Sequence, residues 1–341
     1  MFLKRHQKLV FIILLIVLAA VMFAASAVGS ASIPFSDVMK ILFARFIPAD
    51  NQVTNRAFEV IVLKIRLPRI ILAVITGMGL AVSGTVFQGI FRNPMANPYI
   101  LGISSGAAFS VALGMALGLQ TTFLGMGAIS ISAFIGGFLT SIVVYIISGG
   151  GKSVFSLLLS GIAIGFFLSA LMSLVMYLNR NQIENIVYWT MGSFNAASWV
   201  KVSISGPVVI FGSLVLIIFS GDLNIMVTGD DSAKSLGVAV KSRRLFFLLV
   251  STFITAGAVS VSGVIGFVGL VIPHVLRLLT GPDHRSLIPF SMVSGGIFLL
   301  LSDTLARTIL SPTEIPVGII TSIFGAPFFI YLLFRKRNIM P

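Results

Sequence analysis

Long apolar runs with short connections are the feature that most restricts the fold of this chain. A helix needs roughly 20 apolar residues to cross a bilayer, and only 10% of the residues are charged, against about 25% in soluble domains. The sequence therefore predicts an all-α membrane protein of about ten transmembrane helices, organised as one domain over residues 1–341. The predicted spans are 9–29, 69–91, 97–118, 122–147, 154–178, 203–220, 245–261, 263–279, 287–308 and 316–334.

The distribution of charge predicts the orientation of these helices. Lys4, Arg5 and Lys8 precede an apolar run that is long for a signal peptide and is followed by further spans. With the N-terminus inside, an even number of spans puts the C-terminus inside too, and basic residues are then in excess on the inner side. Residues 30–64 become an outer loop, and residues 221–244 the longest inner loop. Basic residues at helix ends explain the net charge of +13, so no nucleic-acid partner is expected.

Groups that could perform bond chemistry are sparse. The chain has no cysteine and three scattered histidines, which excludes thiol chemistry and disfavours a metal cluster. Gly149–Ser153 ends like a phosphate-binding loop, but Ile146 stands where that motif needs glycine, so no ATP hydrolysis is expected here. Asp303 and Glu314 lie near outer helix ends, which argues against a buried proton relay. We expect no catalytic residue, metal or cofactor.

The segment Gly263–Arg285 combines apolar residues with Gly266, Gly269 and Pro273. In lipid every backbone polar group must find a partner within the protein, so such residues are tolerated only where helices pack tightly or line a cavity. The segment therefore predicts a short, irregular helix inside a bundle.

Arginines flank two of the spans at the predicted outer face. Arg66 and Arg69 surround Pro68 at the start of the second span, and Arg307 ends the ninth. The guanidinium group is planar and always charged, which suits bidentate binding of carboxylate or phosphate. The pattern predicts a docking surface for an acidic protein; anchoring to lipid phosphate is the alternative that charge alone leaves open.

A short helix is predicted in the inner loop. Thr228 and Asp231 fit a capping box, and Gly237 fits a helix stop. Ala233 and Leu236 would then share one side. Because an isolated helix of this length is unstable, it must lie on a surface of this chain or of a cytoplasmic partner, and spacing does not decide which.

Small residues form a stripe along the fifth span, where Gly161, Gly165 and Ser169 fall four apart. Helices in lipid associate through close packing, so such a stripe is typical of a packing face. The same spacing fits the wall of a transport pathway, and the two uses stay open.

Several motifs occur in the order in which one transport family has them. They are RLPR (66–69), SGTVFQGIFRNPMANPYILGISSGA (83–107), SAKSLGV (232–238), GFVGLVIPH (266–274), DTLAR (303–307), EIPVGI (314–319) and GAPFF (325–329). With them the chain resembles the FecCD-type permeases of ABC importers for iron-siderophores, haem and cobalamin. The resemblance covers nearly the whole chain from Arg66 onward.

The resemblance implies the cobalamin-permease-like fold of type II ABC importers, with ten helices in the bacterial inner (plasma) membrane. The implied partners, besides membrane lipid, are a second permease subunit, two cytoplasmic ATPase subunits that hydrolyse ATP, and an extracytoplasmic substrate-binding protein. Ferric siderophores are the implied substrate, with haem or cobalamin as alternatives.

The resemblance also implies roles for individual residues: docking to glutamates of the binding protein, coupling to the ATPase, and lining the pathway. The docking residues are Arg66, Arg69 and Arg307; the coupling residues are Asp230, Asp231, Ala233, Lys234, Leu236 and Gly237; the pathway candidates are Gly161, Gly165, Ser169, Gly325 and Pro327.

An ion-coupled secondary transporter and a membrane enzyme are the alternatives from other classes. The first needs a buried ion-coupling residue and the second a cluster of catalytic residues, and the sequence shows neither. A channel would leave the long polar inner loop without a purpose. The sequence thus favours ATP-driven import in which this chain performs no chemical step.

Overall fold

The computed structural model describes residues 6–29, 33–43, 55–119, 122–123, 126–151 and 153–337. Lys4, Arg5 and Lys152, three of the basic residues on the predicted inner side, lie outside this part of the chain. Among the described residues, the only strands are the antiparallel pair β1 (Thr122–Phe123) and β2 (Met126–Gly127). The α-helices are α1 (Gln7–Ala27), α2 (Phe35–Phe43), α3 (Arg56–Val60), α4 (Leu67–Ile90), α5 (Ile103–Ala116), α6 (Ala128–Ile147), α7 (Val154–Leu178), α8 (Ile183–Thr190), α9 (Trp199–Ile218), α10 (Ser220–Val227), α11 (Asp230–Ser235), α12 (Val240–Ser262), α13 (Val268–Thr280), α14 (His284–Ala306) and α15 (Val317–Arg337).

Seven helices of the described chain are long and apolar enough to cross a bilayer. They are α1, α6, α7, α9, α12, α14 and the continuous helix Arg56–Ile90, which ends with α4. Three further apolar stretches are shorter, at Ile103–Ala116, Val268–Thr280 and Val317–Tyr331. The predicted membrane-helix class is therefore confirmed. The crossing of the bilayer by the three short helices, and the orientation of the termini, stay predictions.

The centre of the bundle is α4, which is buried along almost its whole length. Helices α9, α12, α13 and α14 pack around it. A Cβ atom at Gly77 would lie 2.2 Å from the carbonyl oxygen of Gly295 in α14, and one at Gly84 would lie 1.8 Å from that of Gly269 in α13. Because helices in lipid are held by close packing, these glycine contacts are what bring α4 against its neighbours.

The helix that contains α4 begins earlier than predicted. Residues 30–64 are predicted as an outer loop, but α3 is helical, and a π-helical stretch, Ile61–Arg66, joins it to α4 without a break. Asn55 caps the start, because its side-chain oxygen accepts the backbone N–H two residues on (2.9 Å). The π-helical stretch ends just before Pro68, which lacks the N–H that a regular helix would use.

The helix within Gly263–Arg285 is short and its start is irregular, as the glycines and proline of this segment predict. α12 ends at Ser262 with Gly263 as its C-cap, and Phe267 takes a left-handed conformation with φ of 68°. α13 then runs for only 13 residues. The non-helical backbone before it is partnered within the bundle, since the Tyr99 hydroxyl donates to the carbonyl of Ile265 (2.8 Å).

Candidate functional site

One end of the bundle gathers Arg66, Arg69 and Arg307, here called the arginine cluster. Two of these guanidinium groups hold the last turn of α1, whose carbonyl oxygens have no partner within the helix. Arg66 Nη1 donates to the carbonyl oxygens of Ser26 (2.8 Å) and Ala27 (3.1 Å). Arg307 Nη2 donates to the carbonyl oxygen of Ala25 (2.5 Å).

The arginine cluster is buried rather than exposed. Arg66, Arg69 and Arg307 are 4%, 8% and 3% exposed. Arg69 forms a bidentate pair with Asp303 through Nη2 and Nε (2.8 and 3.0 Å), and its Nη1 contacts Glu314 Oε2 (2.8 Å). This conformation therefore lacks the open positive surface that the sequence predicts, because the chain's own carboxylates offset two of the three charges.

Asp303 and Glu314 are the carboxylate partners of Arg69, and the sequence assigns no docking, coupling or pathway role to them. They lie 234 and 245 residues from Arg69 along the chain, so no local spacing connects them. Asp303 is fully buried. The one signal in the sequence that points to them is general: a carboxylate buried near a membrane span needs a cationic partner.

The opposite end carries α11, which we call the α11 end. The helix begins at Asp230, with Gly229 as its cap at φ of 132°. The predicted capping box does not form: Thr228 Oγ1 donates to the carbonyl of Ile225 (2.8 Å), because Thr228 is the C-cap of α10 and Gly229 takes the N-cap position of α11. The predicted helix stop is confirmed, since Gly237 takes φ of 82°.

The two apolar residues predicted to share one side of α11 point in different directions. Ala233 is fully buried, whereas Leu236 is 65% exposed, because Leu236 follows the last helical residue. Lys234 pairs with Asp231 at the surface (3.1 Å). The helix thus rests on its own chain through Ala233, and Leu236 and Gly237 form its free tip.

Asp230 connects α11 to the rest of the bundle. Its Oδ2 accepts from Arg244 Nη2 (2.6 Å) near the start of α12, and its Oδ1 accepts from Arg92, just after α4. Arg244 Nη1 also donates to the carbonyl of Gly151 (2.9 Å), in the turn between α6 and α7. Burial acts to raise the pKa of Asp230, but the hydrogen bonds and charges of Arg244 and Arg92 hold that pKa below its usual value.

The small-residue stripe of α7 packs within the chain in this conformation. A Cβ atom at Gly161 would lie 2.0 Å from the carbonyl oxygen of Ile100, and one at Gly165 would lie 3.6 Å from Ser105 Oγ. Ser169 Oγ is 3.5 Å from the same hydroxyl. The stripe therefore faces α5 and the turn before it.

The two candidates on α15 have different surroundings. Gly325 is buried, and a Cβ atom there would lie 2.3 Å from Phe267 Cγ. The glycine thus makes room for the left-handed residue before α13. Pro327 is exposed and lies inside the helix, where it removes a backbone hydrogen bond.

Over the part of the chain that the structure describes, no group of three or more histidine, aspartate or glutamate side chains is placed to hold a metal ion.

Comparisons with known proteins identify a family. The sequence matches the FecCD transport family over residues 13–335. The hemin transport system permease protein HmuU of Yersinia pestis is 38% identical over 338 residues, 98% of each chain. The cobalamin import system permease protein BtuC of Halobacterium salinarum is 44% identical over 283 residues, 82% of this chain and 75% of that protein. A solved structure, an inward-facing conformation of a metal-chelate type ABC transporter, has a TM-score of 0.84 at 34% identity and covers 96% of this chain and 99% of the other.

Proposed function

Because this chain belongs to the FecCD transport family and is an ABC transporter permease, we propose that it is the transmembrane subunit of an ATP-driven importer for ferric siderophores. An extracytoplasmic binding protein delivers the substrate, and two separate ATPase subunits drive its passage. The observation that carries this proposal is α11, a short helix with a free tip that Asp230 links to two central helices.

In this proposal all ten apolar helices cross the membrane of a bacterial cell as one permease domain over residues 1–341, with both termini in the cytoplasm. α13 has 13 residues and spans only about 20 Å, less than the roughly 30 Å of hydrocarbon. The non-helical residues 263–267 before it supply additional length.

α11 is suited to transmit a displacement from an ATPase to the bundle. Its tip offers Leu236 and Gly237 to a partner, and its inner side is fixed by Ala233 and by the salt bridges of Asp230. Charge-assisted hydrogen bonds are among the strong contacts in proteins, so a movement of α11 is passed to α4 and α12 as a rigid-body shift. The resemblance also assigns Asp231 and Lys234 to coupling, but they pair with each other at the surface, and such exposed pairs contribute little. We therefore propose that coupling depends on Asp230, Ala233 and the tip at Leu236 and Gly237 rather than on this pair.

The arginine cluster is proposed as the docking site for acidic residues of the binding protein, by exchange of carboxylates. Arg69 is already paired, so an incoming glutamate must replace one of its two partners. Glu314 has a 24% exposed side chain, whereas that of Asp303 is 1% exposed. Because Glu314 is the more accessible of the two, we propose that it is displaced and that Asp303 stays. One carboxylate then replaces another, so the charge of Arg69 remains offset.

A second permease, identical or related, is proposed to contact α7 and α15, with the pathway between the two subunits. Only 11% of the apolar stretch of α7 is buried, and both helices carry large exposed apolar side chains. Those of α7 include Phe155, Leu159, Ile162, Phe166 and Phe167, and those of α15 include Ile323, Phe324, Ile330 and Tyr331. Gly325 and Pro327 lie on α15 within this region, whereas the stripe of Gly161, Gly165 and Ser169 takes part only if its packing on α5 opens.

The proposed cargo is a metal ion held by an organic chelator. Hemin and cobalamin, named for two of the relatives, are both such chelates, and the matched structure is of the metal-chelate type. Ferric siderophores are our first choice, and haem or cobalamin are the alternatives. An ion-coupled transporter is less favoured, since Asp303, the buried carboxylate that it would require, is held by Arg69.

Reconstitution tests this proposal. The chain, its second permease and the two ATPases are placed in liposomes, and a ferric siderophore, haem and cobalamin are supplied separately on the binding protein. We expect uptake that requires ATP and the binding protein and is insensitive to ionophores. Uptake by this chain alone, driven by an ion gradient, would show that the proposed function is wrong.

The α11 assignment has its own test, the amount of ATPase that copurifies with the permease. Leu236→Asp places a charge at the free tip and should reduce copurification. Lys234→Ala, on the same helix, should leave it unchanged. Equal copurification in the two variants would refute the coupling role of α11.

A further inference from the structure

A cavity of about 290 Å³ lies at the α11 end, between the end of α4, α10, α13 and the turn before α14. Among the described residues that line it, none is acidic. Its polar lining side chains are Gln88, Arg92, Asn93, His274, Arg277 and His284.

Arg277 gives the cavity a positive charge that the described chain does not offset. Arg92 is paired with Asp230, but no described carboxylate lies within ion-pairing distance of Arg277. Its side chain is partly buried, and a guanidinium stays charged in proteins. Since a charge removed from water is stabilised by a counter-ion, the cavity favours an anion.

His284 offers a hydrogen-bond acceptor beside this charge. Asn224 Nδ2 donates to Asp283 and its Oδ1 accepts the backbone N–H of His284 (2.8 Å), which fixes the orientation of the amide. The same Oδ1 lies 2.8 Å from His284 Nδ1, so that nitrogen carries the proton. In the neutral ring Nε2 is then the acceptor, and this buried atom has no partner.

Gln88 offers a second acceptor. Its Nε2 donates to the carbonyl of Leu270 (3.2 Å), which leaves Oε1 as the free end of the amide. Oε1 is buried without a partner, and the residue is 2% exposed. A buried acceptor without a partner is unfavourable, so a ligand that donates a hydrogen bond here would be favoured.

We propose that this cavity binds a phosphate anion that carries a hydroxyl group. The negative oxygens contact Arg277, and the hydroxyl donates to Gln88 Oε1 or His284 Nε2. Inorganic hydrogen phosphate and the head group of phosphatidylglycerol share this chemistry. Sulfate has the charge and shape but no O–H near neutral pH. This proposal does not rest on the proposed transport function.

The test measures thermal unfolding of the purified full-length permease in neutral detergent at constant ionic strength. Inorganic phosphate, dihexanoyl phosphatidylglycerol and sulfate are titrated separately. We expect a saturable rise of the unfolding midpoint with one or both of the first two, and a much smaller rise with sulfate. A response to the lipid alone identifies the membrane as the source, and a response to phosphate identifies the free anion. Equal shifts with phosphate and sulfate, or no shift with either phosphate compound, would overturn the proposal.

Variants locate the site. Arg277→Gln should weaken the apparent affinity by about tenfold or more, because a charge-assisted hydrogen bond is lost. Arg285→Gln, which removes an exposed neighbour outside the cavity lining, should leave the affinity unchanged. If the Arg277 variant does not fold, the double variant Gln88→Leu with His284→Phe replaces it; both proposed acceptors are then lost, so the preference for phosphate over sulfate should disappear. If the variant that folds keeps both the unsubstituted affinity for phosphate and the preference for phosphate over sulfate, the site is refuted.

Discussion

Asp303 holds Arg69, and Asp230 holds Arg92 and Arg244, but the two carboxylates lie in different surroundings. The side chain of Asp303 is 1% exposed and that of Asp230 is 37% exposed. Loss of a buried carboxylate leaves its partner with uncompensated charge, whereas loss of a half-exposed one mainly weakens a connection. We therefore expect Asp303 to matter for stability and Asp230 for coupling.

Asp230→Asn should uncouple ATP hydrolysis from transport. The variant keeps the shape of the side chain but loses the charge that holds Arg92 and Arg244, which weakens the link by about 1.5–3 kcal/mol. Substrate imported per ATP hydrolysed should fall roughly tenfold, measured in liposomes with the full complex.

Asp231→Asn is the matched control for this variant. Asp231 is the next residue of α11, and its side chain is 99% exposed in its pair with Lys234. Exposed pairs of this kind contribute little, so the ratio of import to hydrolysis should stay at the unsubstituted level. Equal ratios in the two variants would contradict the role of Asp230.

Asp303→Asn should destabilise the protein by about 3–5 kcal/mol, because Arg69 is left buried with only Glu314. Thermal unfolding of the purified permease measures this loss. Glu314→Gln, at the more exposed partner, should cost less. Replacing both members of the buried pair, as Arg69→Met with Asp303→Leu, should recover part of the stability; a double variant no better than Asp303→Asn would contradict the account.

At the scale of helices, the spacing between α4 and α13 depends on glycine. Gly84→Ala would place a Cβ atom 1.8 Å from the backbone of Gly269, so the two helices must separate. We expect a loss of about 1–3 kcal/mol in the free energy of unfolding. At Gly266 an added Cβ atom meets nothing within 4 Å, and Gly266→Ala should change stability by less than about 0.5 kcal/mol. A similar loss in both variants would show that the close approach does not matter.

The helices themselves were largely predictable, because hydropathy and helix breakers are local properties. The irregular start and the shortness of α13 follow from Gly263, Gly266 and Pro273. The continuation of the helix from Arg56 into α4 was not predictable in this way, because the residues up to Arg66 are more polar than a span. The free tip at Leu236 was missed because the helix ends one residue earlier than its pattern suggests.

At the scale of the whole molecule, the sites depend on contacts between distant residues. The positions in the arginine cluster were found through a motif, but their burial was not, because it depends on α1 and on Asp303, far along the chain. The Asp230 contacts with Arg92 and Arg244 join residues 138 and 14 positions apart. Sequence patterns identify which residues are charged, and only the packing of α4, α11 and α12 shows which of them pair.

In the proposed mechanism, the bundle alternates between two packings of similar free energy, which partners bias by binding one better than the other. Such a change needs a subunit interface that can rearrange, and α7, the least buried of the seven long apolar helices in the described chain, is the candidate. Because the chain has no cysteine, single cysteines can report on this interface without background.

Phe166→Cys on α7 should therefore cross-link to the second permease when the complex is oxidised in membranes, because Phe166 is 75% exposed on the proposed interface. Phe211→Cys is the control, since Phe211 is 67% exposed on α9, a helix outside the proposed interface. Gel electrophoresis shows the linked species. Because a disulfide needs a cysteine on both chains, an identical partner links directly, whereas a related partner links only when a cysteine is also introduced at its matching position. Neighbouring positions on α7, Leu159 and Ile162, extend the scan, because a pair across a two-fold axis links only where the two copies come close. If every α7 position failed to link while Phe211→Cys did link, the interface would lie on α9, and the pathway would have to be placed there as well.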